Sequence, residues 1–159
     1  MARERDSLLA GRRAAALDER EVRNVLNTFL TFERRLAVKH QEGERTRFRV
    51  YIDENGEEIA EVIFGEDVYP GGGMVDANSV LSVDAAVAHE ASHYHRWQNR
   101  SEIDEPELEE IDEALTSLEA IQRYPKQLED HDVRLLVADA IQRLNLYVRR
   151  LRDEKEGAA

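Results

Sequence analysis

The stretch Val87-Ala88-His89-Glu90-Ala91-Ser92-His93 sets two imidazoles four residues apart with a carboxylate between them. On a helix, residues four apart share one face at a separation of ~6 Å, so His89 and His93 can offer two ring nitrogens to one metal ion. Glu90 stands one step around the helix, beside that ion, where it can accept a proton from water activated there. Neutral His and carboxylate donors suit zinc, and a catalytic zinc site uses three protein ligands with a fourth position left open. The chain contains no cysteine, so the third ligand must be another His, Asp or Glu. Disulfides, thiolate nucleophiles and Cys-based zinc fingers are excluded on the same ground.

The motif needs a helix beneath it, and the flanking residues supply the signals. Ser82 is a good N-cap, Asp84 complements the helix dipole, and a helix is expected over about Val83 to Gln98. Ala85, Ala86, Val87, Ala88 and Ala91 mark it as buried. Glu105-Pro106 opens a second helix, with Pro at its first position, that runs to about Tyr124 before Pro125. The short link from Asn99 to Glu105 packs the two side by side. Glu113 lies twenty positions after His93 and points away from the Leu108, Ile111, Leu115 and Leu118 stripe, on a face shared with Ser117 and Ala120. Those small residues permit a close approach, which favours Glu113 as third ligand over Glu109 and Glu119, with Glu110 an open alternative.

Further out, Leu17, Val22, Val25, Leu26, Phe29, Leu30 and Leu36 recur at helical spacing, predicting a long amphipathic helix from about Ala14 to Lys39. Arg47 to Ile52 and Glu58 to Phe64 read as two strands around Asp53-Glu54-Asn55-Gly56, a hairpin signal of the type I′ kind. Pro70-Gly71-Gly72-Gly73 interrupts regular structure, and Met74-Val75-Asp76-Ala77 is expected to add a short edge strand. The last helix, about Asp130 to Glu154, carries Val133, Leu136, Val137, Ile141, Leu144 and Val148, a stripe fit either for core or for a contact between copies. The expectation is one α+β domain over 1–159, mostly helical, with a small antiparallel sheet packed on the H-E-x-x-H helix. Its parts are an N-terminal helix (1–40), the sheet (46–78) and a three-helix metal-site and C-terminal region (82–154).

A chain of 159 residues that is 42% hydrophobic buries a core of its own. The net charge of -12 is unevenly spread, since residues 1–50 hold 12 Arg/Lys against 8 Asp/Glu and the rest 10 against 26. That balance disfavours nucleic-acid binding, and the basic N-terminal helix reads instead as an element that docks on the acidic body or on a protein partner. The charged N-terminus and the lack of any stretch near the ~20 apolar residues of a membrane span lead to an expected cytoplasmic location.

Gly73-Met74-Val75-Asp76-Ala77-Asn78, Leu81-Ser82, Ala88 to His93 and then Glu113 together resemble the gluzincin zinc metallopeptidases. The similarity covers about residues 58–121 and is greatest to the small single-domain minigluzincins and the repressor-cleaving peptidases of mobile elements. It implies a zincin-like fold, His89, His93 and Glu113 as ligands of Zn2+, Glu90 as general base, and a protein or peptide substrate held along an edge strand near Met74–Ala77. Two positions depart from the family. Ser117 stands where many of these peptidases place an Asp that supports a ligand His, and Ser92 stands where the repressor-cleaving forms usually carry Gly.

The small size of the chain, the missing Asp support at Ser117 and the charged N-terminal helix support a second expectation, a latent or catalytically weak zincin fold acting as an interaction module in a defence or mobile-element system, with the first helix as a cover over the cleft. The sequence ranks no residue for steadying an oxyanion among Tyr94, His95, Tyr124 and His131. A di-iron helical protein is a minor alternative, because Glu90-Ala91-Ser92-His93 also satisfies E-x-x-H. It lacks the second copy, since Leu128 stands three residues before His131.

Overall fold

A computed structural model describes residues 13, 15–71 and 81–158. In chain order it contains α1 (Glu19–Phe32), β1 (Ala37–His40), β2 (Arg47–Ile52), β3 (Glu58–Phe64), a 3-10 turn (Glu66–Val68), α2 (Val83–Gln98), a second 3-10 turn (Pro106–Leu108), α3 (Glu109–Arg123) and α4 (Asp130–Gly157). The architecture is α+β, as expected. The expected edge strand at Met74–Ala77 lies outside the described residues, and none of the described helices is long and apolar enough to cross a membrane.

α1 starts at a capping box, in which Asp18 accepts from the Glu21 backbone N–H and Glu21 reaches back to that of Asp18. It ends at Phe32, seven residues short of the Lys39 expected from periodicity. Leu36 joins the core separately, and Ala37–His40 form a strand that no sequence signal had separated from the helix. Four residues of mixed burial satisfy either period, and the parallel pairing of Val38 with Val62 and His40 with Phe64 decides for the strand.

The sheet order is β1-β3-β2, with β1 parallel and β2 antiparallel to β3, so the sheet is mixed rather than antiparallel. The β2–β3 hairpin forms as expected, but with a longer turn than type I′. Only Gly56 has positive φ (79°), while the Asp53 carboxylate accepts from the backbone N–H groups of Asn55 and Glu57. That side chain stabilises the wider loop.

Because β3 lies between β1 and β2, residues 41–46 must cross over its end. They pass so close that a Cβ on Gly65 would sit 1.7 Å from the Glu44 carbonyl oxygen. Glu66 and Asp67, just beyond, hold the crossing by accepting from the backbone N–H groups of Gly43 and Thr46.

α2 sits at the centre, in contact with α1, α3, α4, β2 and β3. Ala85, Val87, Ala88 and Ala91 are fully buried, and the core around them includes Val25, Phe29, Val62, Phe64, Val68 and Leu136. α3 and α4 form an antiparallel hairpin, seen in the pairs Glu110–Arg150, Glu113–Arg143 and Ser117–Asp139. The interior face of α3 is Ala114, Thr116, Ser117 and Ala120, and that of α4 includes Asp132, Leu136, Asp139 and Ala140. The apolar stripes read from the sequence on these two helices are largely outside the core: Leu115, Leu118, Val137, Ile141, Leu144 and Val148 are exposed.

Gly65→Ala should lower stability by about 3 kcal/mol or more, because backbone rather than a flexible side chain blocks the added methyl. At this chain length that is a fall of roughly 10 °C in Tm by calorimetry. Gly157→Ala, with nothing nearby, should leave Tm within about 1 °C, and equal effects at the two positions would refute the crossing-loop account.

Candidate metal centre

Three elements converge where the motif lies. α2 presents His89 and His93, whose ring centroids are 4.8 Å apart and nearly perpendicular. α3 presents Glu113 between them, with Oε2 3.0 Å from His89 Nε2 and Oε1 3.2 Å from His93 Nε2. One ligand atom from each of these residues lies within 4.8 Å of the others, and they form the one such His/Asp/Glu group able to hold a metal among the described residues. Of the three other glutamates at issue, Glu109 lines the cleft but is not part of that group, and two are engaged elsewhere. Glu110 pairs with Arg150 at 2.8 Å and Glu119 with Arg96 at 2.6 Å.

α3 is held in this position by Arg96, one turn beyond His93. Arg96 is 1% exposed, and its guanidinium donates to Asp112, to Glu119 and to the Ser101 carbonyl. It therefore fixes α3 in both its halves and the start of the link. Arg100 adopts a left-handed φ of 56° in that link, which turns the chain back along α2.

Behind His89 runs a buried chain of hydrogen bonds. His89 Nδ1 is 2.8 Å from Ser117 Oγ, and Ser117 Oγ donates to Asp139 Oδ2 at 2.7 Å. Since the single hydroxyl hydrogen goes to Asp139, Ser117 accepts from Nδ1–H, and Nε2 is the nitrogen turned toward Glu113. Asp139 is 1% exposed and also accepts from Arg143 Nε at 3.0 Å, while Arg143 Nη1 lies 3.6 Å from Glu113 Oε2. The carboxylate absent at position 117 thus reaches the histidine from α4 through a serine.

Asp139 and Arg143 are the residues that sequence reasoning missed. A signal existed, an acid and a base four apart on the face shared with Leu136 and Ala140, but hydropathy alone assigns such a face to packing.

The group opens on a cleft of about 410 Å³ that is also lined by Glu90, Arg143, Glu102 and the Arg45–Phe48 stretch. Phe48 of β2 stacks on His93, with ring planes 6° apart. Glu90 is 9% exposed, and its Oε2 is buried without a hydrogen-bond partner among the described residues. None of Tyr94, His95, Tyr124 and His131 lines the cleft. Tyr94 packs with Phe48 and Trp97, His95 pairs with Glu33 at 2.7 Å, Tyr124 packs edge-on to Phe32, and His131 is exposed. α1 contributes no lining residue either, so among the described residues it is core rather than a cover.

Burial disfavours the charged form of His93, but the Glu113 carboxylate outweighs it and raises the imidazole pKa to about 9. Burial likewise opposes ionised Glu113, yet the two imidazoles hold it well below the usual carboxylate range.

These shifts set a stability profile for protein kept free of divalent metal by a chelator. The raised His93 contributes fully below its ordinary value of 6.5 and is lost as pH climbs through about 9. The lowered Glu113 contributes fully above its ordinary 4.5 and is lost in acid. Tm should therefore be highest between about pH 4.5 and 6.5 and decline toward pH 9. Glu113→Gln should lower that maximum and remove the alkaline decline. A wild-type Tm that stays level from pH 6 to 10 would contradict the pairing.

Compared with protein-family models, with curated proteins and with solved structures, the chain matches none.

Proposed function

We propose that this chain is a zinc-dependent peptidase of zincin-like build, with His89, His93 and Glu113 as ligands and Glu90 as general base. The observation that carries the reading is the Glu90 carboxylate oxygen buried without a partner, one residue along α2 from His89 and on the wall of the same cleft as the three converging ligands. A buried carboxylate oxygen with no donor is costly unless a ligand or water completes it. Two imidazoles and one carboxylate fit zinc better than harder cations, which favour all-oxygen sites.

Zinc bound there would polarise a scissile carbonyl and lower the pKa of water. The chain's own residues would do the rest. His89 is held by Ser117 at Nδ1, which leaves Nε2 on the side of Glu113 as the nitrogen that would serve as ligand, the hydrogen bonding that metal-ligating histidines ordinarily need. Glu90 Oε2 takes a proton from the attacking water and delivers it to the leaving amine nitrogen, so hydrolysis proceeds without a covalent intermediate. Arg143 reaches toward Glu113 from the cleft wall and is placed to donate to an oxyanion, a role that none of the four residues first considered can fill from outside the cleft.

The second reading, an interaction module that binds metal without cleaving, draws on the exposed apolar residues of α3 and α4. A paired-metal centre needs more ligands than the three that converge among the described residues.

Elemental analysis of zinc-loaded protein should find about one zinc per chain. Glu113→Ala should lose it, and Glu110→Ala should keep it. Glu90→Gln should also keep it while cleavage of a peptide library falls ~10²–10⁴-fold. Zinc with no wild-type cleavage would select the interaction module, and no zinc after supplementation would end the peptidase reading.

Asp139→Asn addresses the chain of hydrogen bonds separately. It should raise the zinc Kd ~10–100-fold in competition with a chromophoric chelator, with helix content unchanged by circular dichroism. An unaltered Kd would mean that Asp139 serves packing alone.

A further inference from the structure

The outer side of the α3–α4 hairpin remains after the site is accounted for. Val137, Ile141, Leu144, Val148 and Leu151 follow one another at spacings of four, three, four and three, a seam of the kind helices use to pair with each other. Val137 is 37% exposed, Ile141 54%, Leu144 38% and Val148 41%, and Leu115 and Leu118 of α3 are 38% and 39% exposed. At about 100° per residue the α3 stripe lies nearly opposite Glu113, and both stripes are rotated the same way from the line joining the two helices. Because the helices are antiparallel, equal rotations turn the stripes to the same side of the hairpin, away from α2 and the cleft.

Six aliphatic side chains exposed to this degree offer roughly 400 Å², the apolar share of a standard ~800 Å² per-partner interface and the upper range for a monomer's largest patch. What singles the patch out is its order and its charge. α4 begins with Glu129, Asp130 and Asp132, and its last turns carry Arg149, Arg150, Arg152 and Lys155 beside Asp153, Glu154 and Glu156, with Asp130 and Lys155 in line with the apolar seam. Two copies laid antiparallel, with the two-fold axis between Ile141 and Leu144, set Val137 of each against Val148 of the other. The same register brings Asp130 beside Lys155, whereas a parallel pairing would bring like charges together.

We infer that a second copy of this chain docks on this face, α4 against α4 in antiparallel order with Leu115 and Leu118 at the flank. A contact that uses the same patch on both copies closes on itself and leaves both clefts open. The inference does not depend on metal binding.

Sedimentation equilibrium of the full chain across the micromolar range should give a mass twice 18.3 kDa. The double variant Ile141→Glu with Leu144→Glu should return it to 18.3 kDa, with helix content by circular dichroism retained because both side chains are on the surface. Asp130→Lys should weaken the dimer about tenfold, and adding Lys155→Asp should restore it, an effect that general loss of folding would not produce. A dimer unchanged by the double glutamate variant overturns the proposal, as does a wild type that stays at 18.3 kDa throughout. Amide exchange showing α4 protected in such a monomer would assign the face to residues 1–12 of the same chain instead.

Discussion

A carboxylate held between two imidazoles in the interior governs this structure. Removing His89 and His93 from water, and most of Glu113 with them, carries a large penalty, and so does burying Asp139 and Arg96. Each is offset in part by a partner on another helix: His89 and His93 by Glu113, Arg96 by Asp112 and Glu119, Asp139 by Ser117, with Arg143 of its own helix adding a second donor to Asp139. Two of the partnerships tie α2 to α3 and the third ties α3 to α4. None can form until all three helices are in register, so the polar interior selects one arrangement among the many that apolar packing alone would tolerate.

The same requirement explains which side chains face inward. For imidazole and carboxylate atoms to come within about 3 Å, the helix backbones must approach closely, and the inward positions are accordingly small or polar: Ala85, Ala88 and Ala91 on α2, Ala114, Ser117 and Ala120 on α3, Ala140 on α4. With those positions taken, Leu136 of α4 is the one large aliphatic residue of the two helices that is fully buried, and Leu115, Leu118, Val137, Ile141, Leu144 and Val148 stand outside. An ordinary amphipathic helix buries its leucines, whereas α3 buries a threonine and a serine and exposes Leu115 and Leu118. The inversion follows from building the interior around polar groups.

This inversion also marks how far the sequence could be read. His89, Glu90 and His93 follow from spacing alone, and Glu113 from one helical wheel, because the wheel asked which glutamate avoided the leucines rather than whether the leucines were buried. The hairpin followed from Asn55-Gly56, although Asp53 widened its turn. β1 was hidden because Leu36, Ala37 and Val38 continue a helical pattern that only pairing with β3 interrupts. Asp139 was hidden for the opposite reason, since a charged residue on a helix is ordinarily assigned to solvent, and its burial depends on Ser117 arriving from α3 as well as on Arg143 one turn along its own helix.

Ser117 has a consequence that an aspartate at the same position would not have. An aspartate there would hold His89 from within α3, and α4 would be irrelevant to the orientation of the imidazole. A serine cannot supply the charge itself, so it passes the hydrogen bond on to Asp139, and the last protein atom that fixes the tautomer of His89 belongs to α4. Val137 and Ile141 lie two residues to either side of Asp139 on that helix, facing outward while Asp139 faces inward. Any load on the outer face of α4 therefore bears on the helix that holds His89 from both sides, at Nδ1 through the Ser117–Asp139 bond of 2.7 Å and at Nε2 through Arg143 beside Glu113.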